Sequence, residues 1–489
     1  MGLHWGTPGQ RSKRNYCQEI KWDMKPFKKI LYAFGNFGTI VSLQTFTNRI
    51  QFRYIDEIGI DVRLIGIIWF LYGIWNAIND PIMGRLSDGT RSRLGRRIPY
   101  ILFGAIPLGL LFLLLWIPPV NFAKRIAGGL GTLGTYPQNL MRSGTDVWLI
   151  LAYFFLMLFA FDTLWTLIVL AWTALFPEMY PDEKERADVS GWRQVFALLG
   201  LIVALALSPI LIGQIGYLGM GLIFGAITTL SFLLSLLGSK ENPETYQDEV
   251  AIPFMKSLKI SFANPSFRWF LVASLAKEFI FLVMVAMLPF YSKYILQLED
   301  VQGGLSADLQ QALLLGVPFI LAIPVMFVWT SISKRSGSRR AWMYAAIAFI
   351  PGLTIMFAAA SFQVAILGTS LLVLGLPGLL MLPDLLLADI IDEDELLSGS
   401  RREGFYFGMN GAIIRLAFSL QAVIFTFLLN SSGYDPNNAT QPDAALFAVR
   451  SLMAGAPMLA VLAIIVALMR YPLYGERLQW MRKQLLERK

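Results

Sequence analysis

Three polar side chains are spaced so that they would share one helical face inside an apolar stretch. Asn76, Asn79 and Asp80 stand at i, i+3 and i+4, positions that lie on the same side of an α-helix. Amide and carboxylate oxygens suit a hard cation such as sodium, and the hydroxyl of Thr166 could complete the site. A proton would need only the Asp80 carboxylate. The structural alternative is a buried Asp80 that pairs with Arg415 and binds no cation.

Three further ionisable positions lie inside apolar stretches, where a charge is costly and indicates function. Arg415 is permanently charged, and its planar guanidinium suits a carboxylate or an anionic substrate group. Asp162 stands four residues before Thr166 and could line a central cavity or be satisfied by a neighbouring helix. Lys277 adjoins Glu278, and structural pairing is the favoured interpretation. Other residues that could line a cavity are Asn36, Gln44, Trp165 and Arg193.

Two rare residue types exclude whole classes of chemistry. The only histidine is His4 and the only cysteine is Cys17. Imidazole acid–base catalysis, histidine-bound metals and Ser-His-Asp triads therefore have no plausible member, and a lone cysteine forms no internal disulfide. No nucleophile and base stand at a recognisable spacing. We predict no enzyme activity, no catalytic residue, no cofactor and no metal beyond a sodium ion.

The composition predicts a helical membrane protein. Of 489 residues, 56% are hydrophobic and 15% are charged, against roughly 25% charged in soluble domains. The apolar residues form blocks long enough to cross a bilayer as helices. We place twelve spans near residues 28–50, 62–84, 98–118, 147–175, 193–213, 217–238, 266–292, 312–332, 341–361, 364–388, 405–430 and 446–470.

Basic residues predict the orientation. If the N-terminus is cytoplasmic, 31 of the 41 Lys and Arg residues lie on that side, as the positive-inside rule requires. Topology and anionic lipid then account for the net charge of +8, and no nucleic-acid partner is expected. Residues 1–27 lack the apolar core of a signal peptide, and the basic segment 471–489 is expected to lie on the inner membrane surface.

A short motif occurs once in each half of the chain. Residues 80–97 contain Pro-Ile-Met and then Arg-x-Gly-Arg-Arg, and residues 323–340 contain Pro-Val-Met and then Arg-x-Gly-x-Arg-Arg. Two related six-helix halves are typical of major facilitator transporters, where substrate binds near the midplane between them. We predict an all-α fold with a tail at 1–27, six-helix bundles at 28–238 and 266–470, a central loop at 239–265 and a C-terminal segment at 471–489.

Three separated motifs resemble the glycoside-pentoside-hexuronide:cation symporters, a family of the major facilitator superfamily. The motifs occur in order and cover nearly the whole chain. They comprise residues 75–84, 88, 90–93, 95–97 and 99–100, then 174–175, 177–178, 182, 185–186 and 193, and finally 383–384, 389, 392–393, 399, 401–404 and 406–408. The resemblance implies transport of a small solute together with a cation.

The resemblance also implies a sodium site at Asn76, Asn79, Asp80 and Thr166, in which the family carries a carboxylate at the position of Asn76. Loss of one anionic ligand should weaken sodium binding more than proton binding, because a proton needs a single carboxylate. We therefore expect coupling to protons or to weakly bound sodium. The family usually has a lysine at the position of Arg415.

Two positions separate this chain from the galactoside carriers of the family. Those carriers hold the sugar with aspartates where Ile40 and Val169 stand here, and aliphatic side chains remove that clamp. A glycoside or related carbohydrate remains the leading substrate. The alternative is an amphiphile such as a lysophospholipid, because residues 161–166 are similar to a segment of the related lysophospholipid transporters, which have Glu at the position of Asp162.

Charged residues at one side of the predicted bundle form a candidate cytoplasmic gate. In the major facilitator pattern a loop aspartate faces a helix N-terminus and arginines bridge to acidic residues, and such contacts would break and form again during alternating access. The candidate gate residues are Gly84, Asp88, Gly95, Arg96, Arg97, Glu178 and Arg186.

The prediction is a secondary active symporter that works by alternating access. We expect it to function as a monomer in the plasma (inner) membrane, with both termini cytoplasmic. A transport-inactive sensor with the same fold is the alternative from a different functional class.

Overall fold

The computed structural model describes residues 26–119, 144–180, 183–241, 263–300, 304–398, 403–436, 438 and 440–488. Within these ranges every regular element is a helix. The predicted N-terminal tail and most of the predicted central loop lie outside the described residues. The predicted all-α architecture is confirmed for these ranges. The twelve spans are numbered α1 to α12 in chain order, and a short final helix is α13.

The N-terminal half contains six spans. They are α1 Pro26–Phe52, α2 Val62–Gly89, α3 Ile98–Leu115, α4 Gly144–Met179, α5 Glu183–Ile202 and α6 Ser208–Leu237. A π-helical turn, Arg53–Glu57, ends α1, and another, Val203–Leu207, joins α5 to α6. Gly216 breaks α6 with φ 70° and ψ 178°, so residues 208–215 extend α5 and residues 217–237 form the sixth span.

The C-terminal half contains the other six spans and a short final helix. The uninterrupted spans are α7 Pro265–Tyr294, α8 Ala307–Ser336, α9 Ser338–Ala358 and α11 Glu403–Ser431. Two spans are interrupted: α10 consists of Phe362–Leu372 and Leu376–Ser398, and α12 consists of Asp443–Arg450 and Ala456–Arg470, joined by the π-helical turn Ser451–Gly455. The final helix is α13 Glu476–Arg488.

The predicted spans agree with these helices, with differences at the interruptions. Ten described helical segments are long and apolar enough to cross a membrane, and one of them, Asp188–Leu237, contains both the fifth and the sixth span. These ten segments include every span except α1, which is more polar. The predicted break between residues 213 and 217 falls at Gly216. The interruption of α10 after Leu372 was not predicted from hydropathy, which is uniformly high there, although Gly375 and Pro377 offered a helix-breaking signal. The chain is an integral multi-pass membrane protein.

The helices have two ends that differ in how the halves meet. We call the end where α1 begins the terminal end, and the opposite end, where α2 begins, the distal end. Near the distal end, α2 and α11 approach closely: a Cβ on Gly73 would lie 2.5 Å from the backbone nitrogen of Ser419, and one on Gly66 would lie 2.8 Å from Cγ2 of Thr426. Any larger residue would force these helices apart.

Toward the terminal end the described residues show no such close approach. A Cβ added to Gly84 of α2, or to Gly408 or Gly411 of α11, would meet no described atom within 4 Å. Among the described residues, the close contacts between α2 and α11 therefore lie near the distal end. We call the region between the halves on the terminal side of these contacts the central opening.

Candidate functional site

An ion pair between the halves lies at the centre of the bundle. Nε of Arg415 on α11 lies 2.5 Å from Oδ2 of Asp80 on α2, and the same guanidinium donates a hydrogen bond to Oδ1 of Asn76. Asp80 and Arg415 keep 25% and 19% of their side chains exposed, so both border the central opening. The structure therefore places together the two intramembrane charges that the sequence suggested as partners.

A second carboxylate lies behind this pair. Asp162 of α4 accepts hydrogen bonds from the amides of Asn76 at 3.2 Å and Asn79 at 3.0 Å, and from the hydroxyl of Tyr72 at 3.2 Å. The Asp162 side chain is buried. It therefore packs against the Asn76 and Asn79 amides of α2 and does not form part of the wall of the opening. Asp162 thus supplies a second carboxylate beside Asn76, the position where the resemblance had implied that one was lost.

Three buried oxygen atoms here have no hydrogen-bond partner among the described residues. Oδ1 of Asn79 and Oδ1 of Asp80 belong to this cluster, and Oγ1 of Thr166 lies one helical turn after Asp162 on α4. Burying an unpaired polar oxygen is costly, and two carboxylates with one guanidinium leave one net negative charge. Both features fit a bound monovalent cation. No group of three or more His, Cys, Asp and Glu residues suited to a metal occurs in the described ranges.

The remaining predicted cavity residues are distributed over α1, α4, α5 and α7. The amide of Asn36 donates to the carbonyl oxygen of Arg193 at 2.8 Å, and the Arg193 guanidinium stacks on Trp172 at 4.5 Å. The indole of Trp165 donates to Ser42 at 3.2 Å. Oε1 of Gln44 is buried without a partner in the described part of the chain. These contacts join α1 to α4 and α5.

The predicted pairing of Lys277 and Glu278 occurs in the structure. Nζ of Lys277 lies 2.6 Å from Oε2 of Glu278 on α7, and Lys277 also interacts electrostatically with Asp384 of α10. Asp384 was predicted only as part of a motif, without a role. The feature that could have indicated a role is its position as the only charged residue in the apolar run before Asp389.

The predicted gate residues form a network at the terminal end. Arg96 and Arg97 both pair with Glu178 of α4, the second at 2.7 Å, and the backbone amides of both arginines donate to Glu241. Gly95 has φ 102° and lies against the Glu241 side chain. We call Arg96, Arg97, Glu178 and Glu241 the terminal network. Arg96, Arg97 and Glu178 belong to the N-terminal half, and Glu241 follows that half at the start of the central loop.

The three other predicted gate residues are Arg186, Asp88 and Gly84. Nε of Arg186 donates to the carbonyl oxygen of Tyr180 at 3.1 Å, and burial raises the pKa of Tyr180 well above its ordinary value. The side chain of Asp88 lies outside the described part of the structure. Gly84, at the open end of α2, contacts no residue of the network.

At the distal end, a buried carboxylate joins the halves. Asp56, in the turn that ends α1, accepts hydrogen bonds from Lys293 at 2.5 Å, from Tyr294, and from Tyr434 at 2.6 Å. The Asp56 side chain is 0% exposed. Burial and the neighbouring Asp56 raise the pKa of Tyr434 well above its ordinary value, so its hydroxyl stays protonated. We call Asp56, Lys293, Tyr294 and Tyr434 the distal seal.

Polar contacts beneath the distal seal also cross between the halves. Arg49 donates to Gln311 of α8 at 2.7 Å, Gln421 of α11 donates to Gln51 at 3.0 Å, and Asn48 donates to the carbonyl oxygen of residue 285 at 2.7 Å. Neither this layer nor the distal seal was predicted from the sequence. The feature that could have indicated them is the run of polar residues at 47–49, 51, 53 and 56–57.

Comparison with known proteins agrees with this architecture. The family model described as "MFS/sugar transport protein" matches residues 31–475. A putative glycoside/cation symporter of Escherichia coli (strain K12) is 22% identical, over 94% of this chain and 94% of its own length. The sodium-dependent lysophosphatidylcholine symporter 1 of Mus musculus is 21% identical, over 94% of this chain and 87% of its own length.

A solved structure shares the fold. A bacterial homolog of the human lysosomal transporter Spinster superposes with a TM-score of 0.63 at 13% sequence identity, covering 95% of this chain and 98% of that one.

Proposed function

Since the chain belongs to the MFS/sugar transport protein family, we propose that it is a cation-coupled symporter that carries a glycoside or related carbohydrate by alternating access. The coupling ion is a proton or sodium. The relatives with glycoside/cation and sodium-dependent symporters in their names support this assignment.

The observation that carries the proposal is the set of unpaired oxygens of Asn79, Asp80 and Thr166. The Asp80 and Asp162 carboxylates and the Arg415 guanidinium leave one net negative charge beside these oxygens. Such a charge within a membrane span is costly. A sodium ion would use these oxygens together with the Asp162 carboxylate, and a proton would bind a single carboxylate. Either ion removes the charge imbalance.

The Asp80–Arg415 ion pair explains how the cation and the solute would be coupled. A cation bound at Asp80 competes with Arg415 for the carboxylate and weakens the 2.5 Å contact. The released guanidinium then offers donors to hydroxyl or anionic groups of the solute in the central opening. Coupling is reciprocal, so solute bound to Arg415 strengthens cation binding by the same factor.

The described conformation corresponds to one state of the transport cycle. We propose that the terminal end faces the cytoplasm of a plasma (inner) membrane, as the basic residues favour, so that the opening faces inward and the distal seal closes the outer side. The terminal network then acts when the inner side closes, through new contacts between the halves. The protein acts as a monomer.

The proposed substrate class is tested by counterflow in proteoliposomes with a panel of glycosides and sugar acids, each with sodium or choline at two pH values. We expect exchange of at least one carbohydrate that depends on sodium or on low pH. The variant Asp80→Asn should abolish that dependence, whereas Asp443→Asn, on an exposed surface of α12, should keep it. Cation dependence that survives in Asp80→Asn would reject the site, and exchange of no carbohydrate would reject the substrate class.

A further inference from the structure

One tyrosine of α2 belongs both to the candidate cation site and to the contact between the halves. The hydroxyl of Tyr72 donates to Oδ1 of Asp162 at 3.2 Å and accepts a hydrogen bond from the amide of Asn76 at 2.9 Å. The ring of Tyr72 packs edge-on against Phe418 of α11, with the ring centroids 5.5 Å apart and the planes at 88°. The hydroxyl therefore contacts the cation site, and the ring contacts the other half.

Other aromatic side chains confine the Tyr72 ring. The ring centroids of Trp69 on α2 and Phe46 on α1 lie 5.1 and 5.8 Å from that of Tyr72, and Tyr72 is buried. Closely packed interiors transmit displacements, so a movement of the Tyr72 hydroxyl is passed through the ring to its neighbours. One of those neighbours, Phe418, belongs to the C-terminal half.

The contact between Tyr72 and Phe418 adjoins the closest approach of α2 and α11. The next residue in each helix is Gly73 and Ser419, and a Cβ on Gly73 would lie 2.5 Å from the backbone nitrogen of Ser419. Oγ of Ser419 also donates to the carbonyl oxygen of Phe70 at 2.9 Å. Opening of the distal end must separate α2 from α11 here, so it must also break the contact between Tyr72 and Phe418.

A cation at the site changes the strength of the hydrogen bond from Tyr72. Sodium or a proton neutralises the Asp162 carboxylate, which accepts that bond at 3.2 Å. Hydrogen bonds to an ionised carboxylate are roughly twice as strong as those to a neutral acceptor. Cation binding therefore weakens the hold on the Tyr72 hydroxyl and lets the ring shift relative to Phe418.

We propose that Tyr72 is a positioning residue that transmits cation binding to the contact between the halves. It holds α2 against Phe418 of α11 while the Asp162 carboxylate is charged, and it releases that contact when a cation neutralises the carboxylate. The cation thus favours opening of the distal end. The inference rests on the proposed cation coupling and adds the residue that conveys it between the halves.

The experiment compares cation binding with its effect on the distal end. Opening is measured as labelling of Thr45→Cys, a fully buried position on α1, by a membrane-impermeant thiol reagent in a Cys17→Ser background. Cation binding is measured separately, as the change in unfolding temperature. Both measurements use sodium or choline at two pH values, and each labelling rate is normalised to that of the unfolded protein at the same pH.

Tyr72→Phe keeps the ring and removes the hydroxyl. In the protein that carries only the thiol reporter, saturating cation should raise labelling about fivefold, as the loss of one hydrogen bond would. In Tyr72→Phe labelling should already be raised about fivefold without the cation and should rise less than about twofold when it is added, because no hydroxyl is left to release. Cation binding should persist, since the carboxylates of Asp80 and Asp162 remain.

Two further variants connect the effect to the contact. Tyr32→Phe removes a buried hydroxyl that donates to the carbonyl oxygen of Trp172 at 2.8 Å within the N-terminal half, and it should keep the full cation dependence. Phe418→Leu removes the receiving ring and should lose that dependence, as Tyr72→Phe does. Because both residues act through one contact, the double variant should change labelling no more than either single variant.

Three outcomes would overturn the proposal. The first is a cation dependence of labelling in Tyr72→Phe as large as in Tyr32→Phe. The second is loss of cation binding in Tyr72→Phe, which would make Tyr72 a ligand rather than a transmitter. The third is labelling of the reporter protein that does not respond to a cation. Carbohydrate counterflow and its dependence on Asp80 are measured without the reporter, so a failure of the proposed function is recognised separately.

Discussion

The distal seal and the terminal network use similar side chains for different purposes. In the seal, Asp56 of the N-terminal half accepts three hydrogen bonds from residues of the C-terminal half. In the network, Glu178 binds two arginines of its own half. A carboxylate that pairs across the halves stabilises one conformation, whereas one that pairs within a half stabilises the half in every conformation. The position of the partner therefore decides which conformations a charged cluster stabilises, and the terminal network acts as a gate only in a conformation where it gains contacts across the halves.

The largest effect is expected from Asp56→Ala, which leaves Lys293, Tyr294 and Tyr434 without their shared acceptor. The loss should destabilise the closed distal end by about 3 kcal/mol, roughly a hundredfold in population. The measurement is labelling of Thr45→Cys, a fully buried position on α1, by a membrane-impermeant thiol reagent in a Cys17→Ser background. Glu299→Ala, which removes an exposed carboxylate at the same end, should leave labelling unchanged. Equal labelling in both variants would reject the seal.

A smaller effect is expected where α2 and α11 touch below the seal. In Gly73→Ala the new Cβ would lie 2.5 Å from the backbone nitrogen of Ser419, and overpacking of this kind costs about 1–3 kcal/mol. Gly84→Ala is the matched control, because no described atom lies within 4 Å of its Cβ. Labelling at Thr45→Cys should rise in Gly73→Ala alone. A rise of the same size in Gly84→Ala would mean that helix flexibility, not contact, controls the distal end.

The third prediction tests the terminal network. Glu178→Ala leaves Arg96 and Arg97 without a shared carboxylate, and we expect the stability of the N-terminal half to fall by about 1–2 kcal/mol. Thermal unfolding measures this loss. Labelling at Thr45→Cys should stay at the level of the unmodified protein, and an increase like that of Asp56→Ala would remove the distinction between the two clusters.

The smallest effect is expected from Tyr434→Phe, which removes one of three donors to Asp56 and should cost about 1 kcal/mol, or fivefold in labelling. Because the pKa of Tyr434 is raised in the folded protein, its contribution is complete below the ordinary pKa of about 10 and declines as the pH rises through the raised value. The labelling ratio between Tyr434→Phe and the unmodified protein should therefore stay constant from pH 7 to 9. A ratio that falls toward one within that range would contradict the assigned hydrogen bond.

The sequence predicted the helices and the central charges well, for a physical reason. Spans of about 20 apolar residues have few alternatives to a helix in lipid, and a charge within such a span needs a partner. Asp80 and Arg415 were therefore the natural pair, and they lie 2.5 Å apart. Gly216 also ends a helix where the predicted break stands.

The distal seal could not be predicted in the same way. The partners of Asp56 are 237, 238 and 378 residues away in the chain. Each lies near a helix end, where a charged side chain costs little free energy and therefore does not indicate a functional contact. For Asp162 the sequence left two alternatives open, a cavity wall or a neighbouring helix, for a related reason. Helical spacing places Asp162 on the same face as Thr166 but does not show which neighbouring helix covers that face. In the structure, Asn76 and Asn79 of α2 cover it.

The same separations decide the order in which the contacts can form during synthesis. The turn that ends α1 can complete its local contacts early, since Arg53 pairs with Glu57 at 2.7 Å and Tyr217 reaches Glu57 at 2.8 Å, all within the first half made. Asp56 must wait for Tyr434, 378 residues later. Domains of large proteins generally fold as units during synthesis, the N-terminal one first. We therefore expect the N-terminal half to fold while the Asp56 carboxylate has not yet met its partners in the C-terminal half. The seal therefore forms only after the first eleven spans have been made, and its formation marks the docking of the two halves at the distal end.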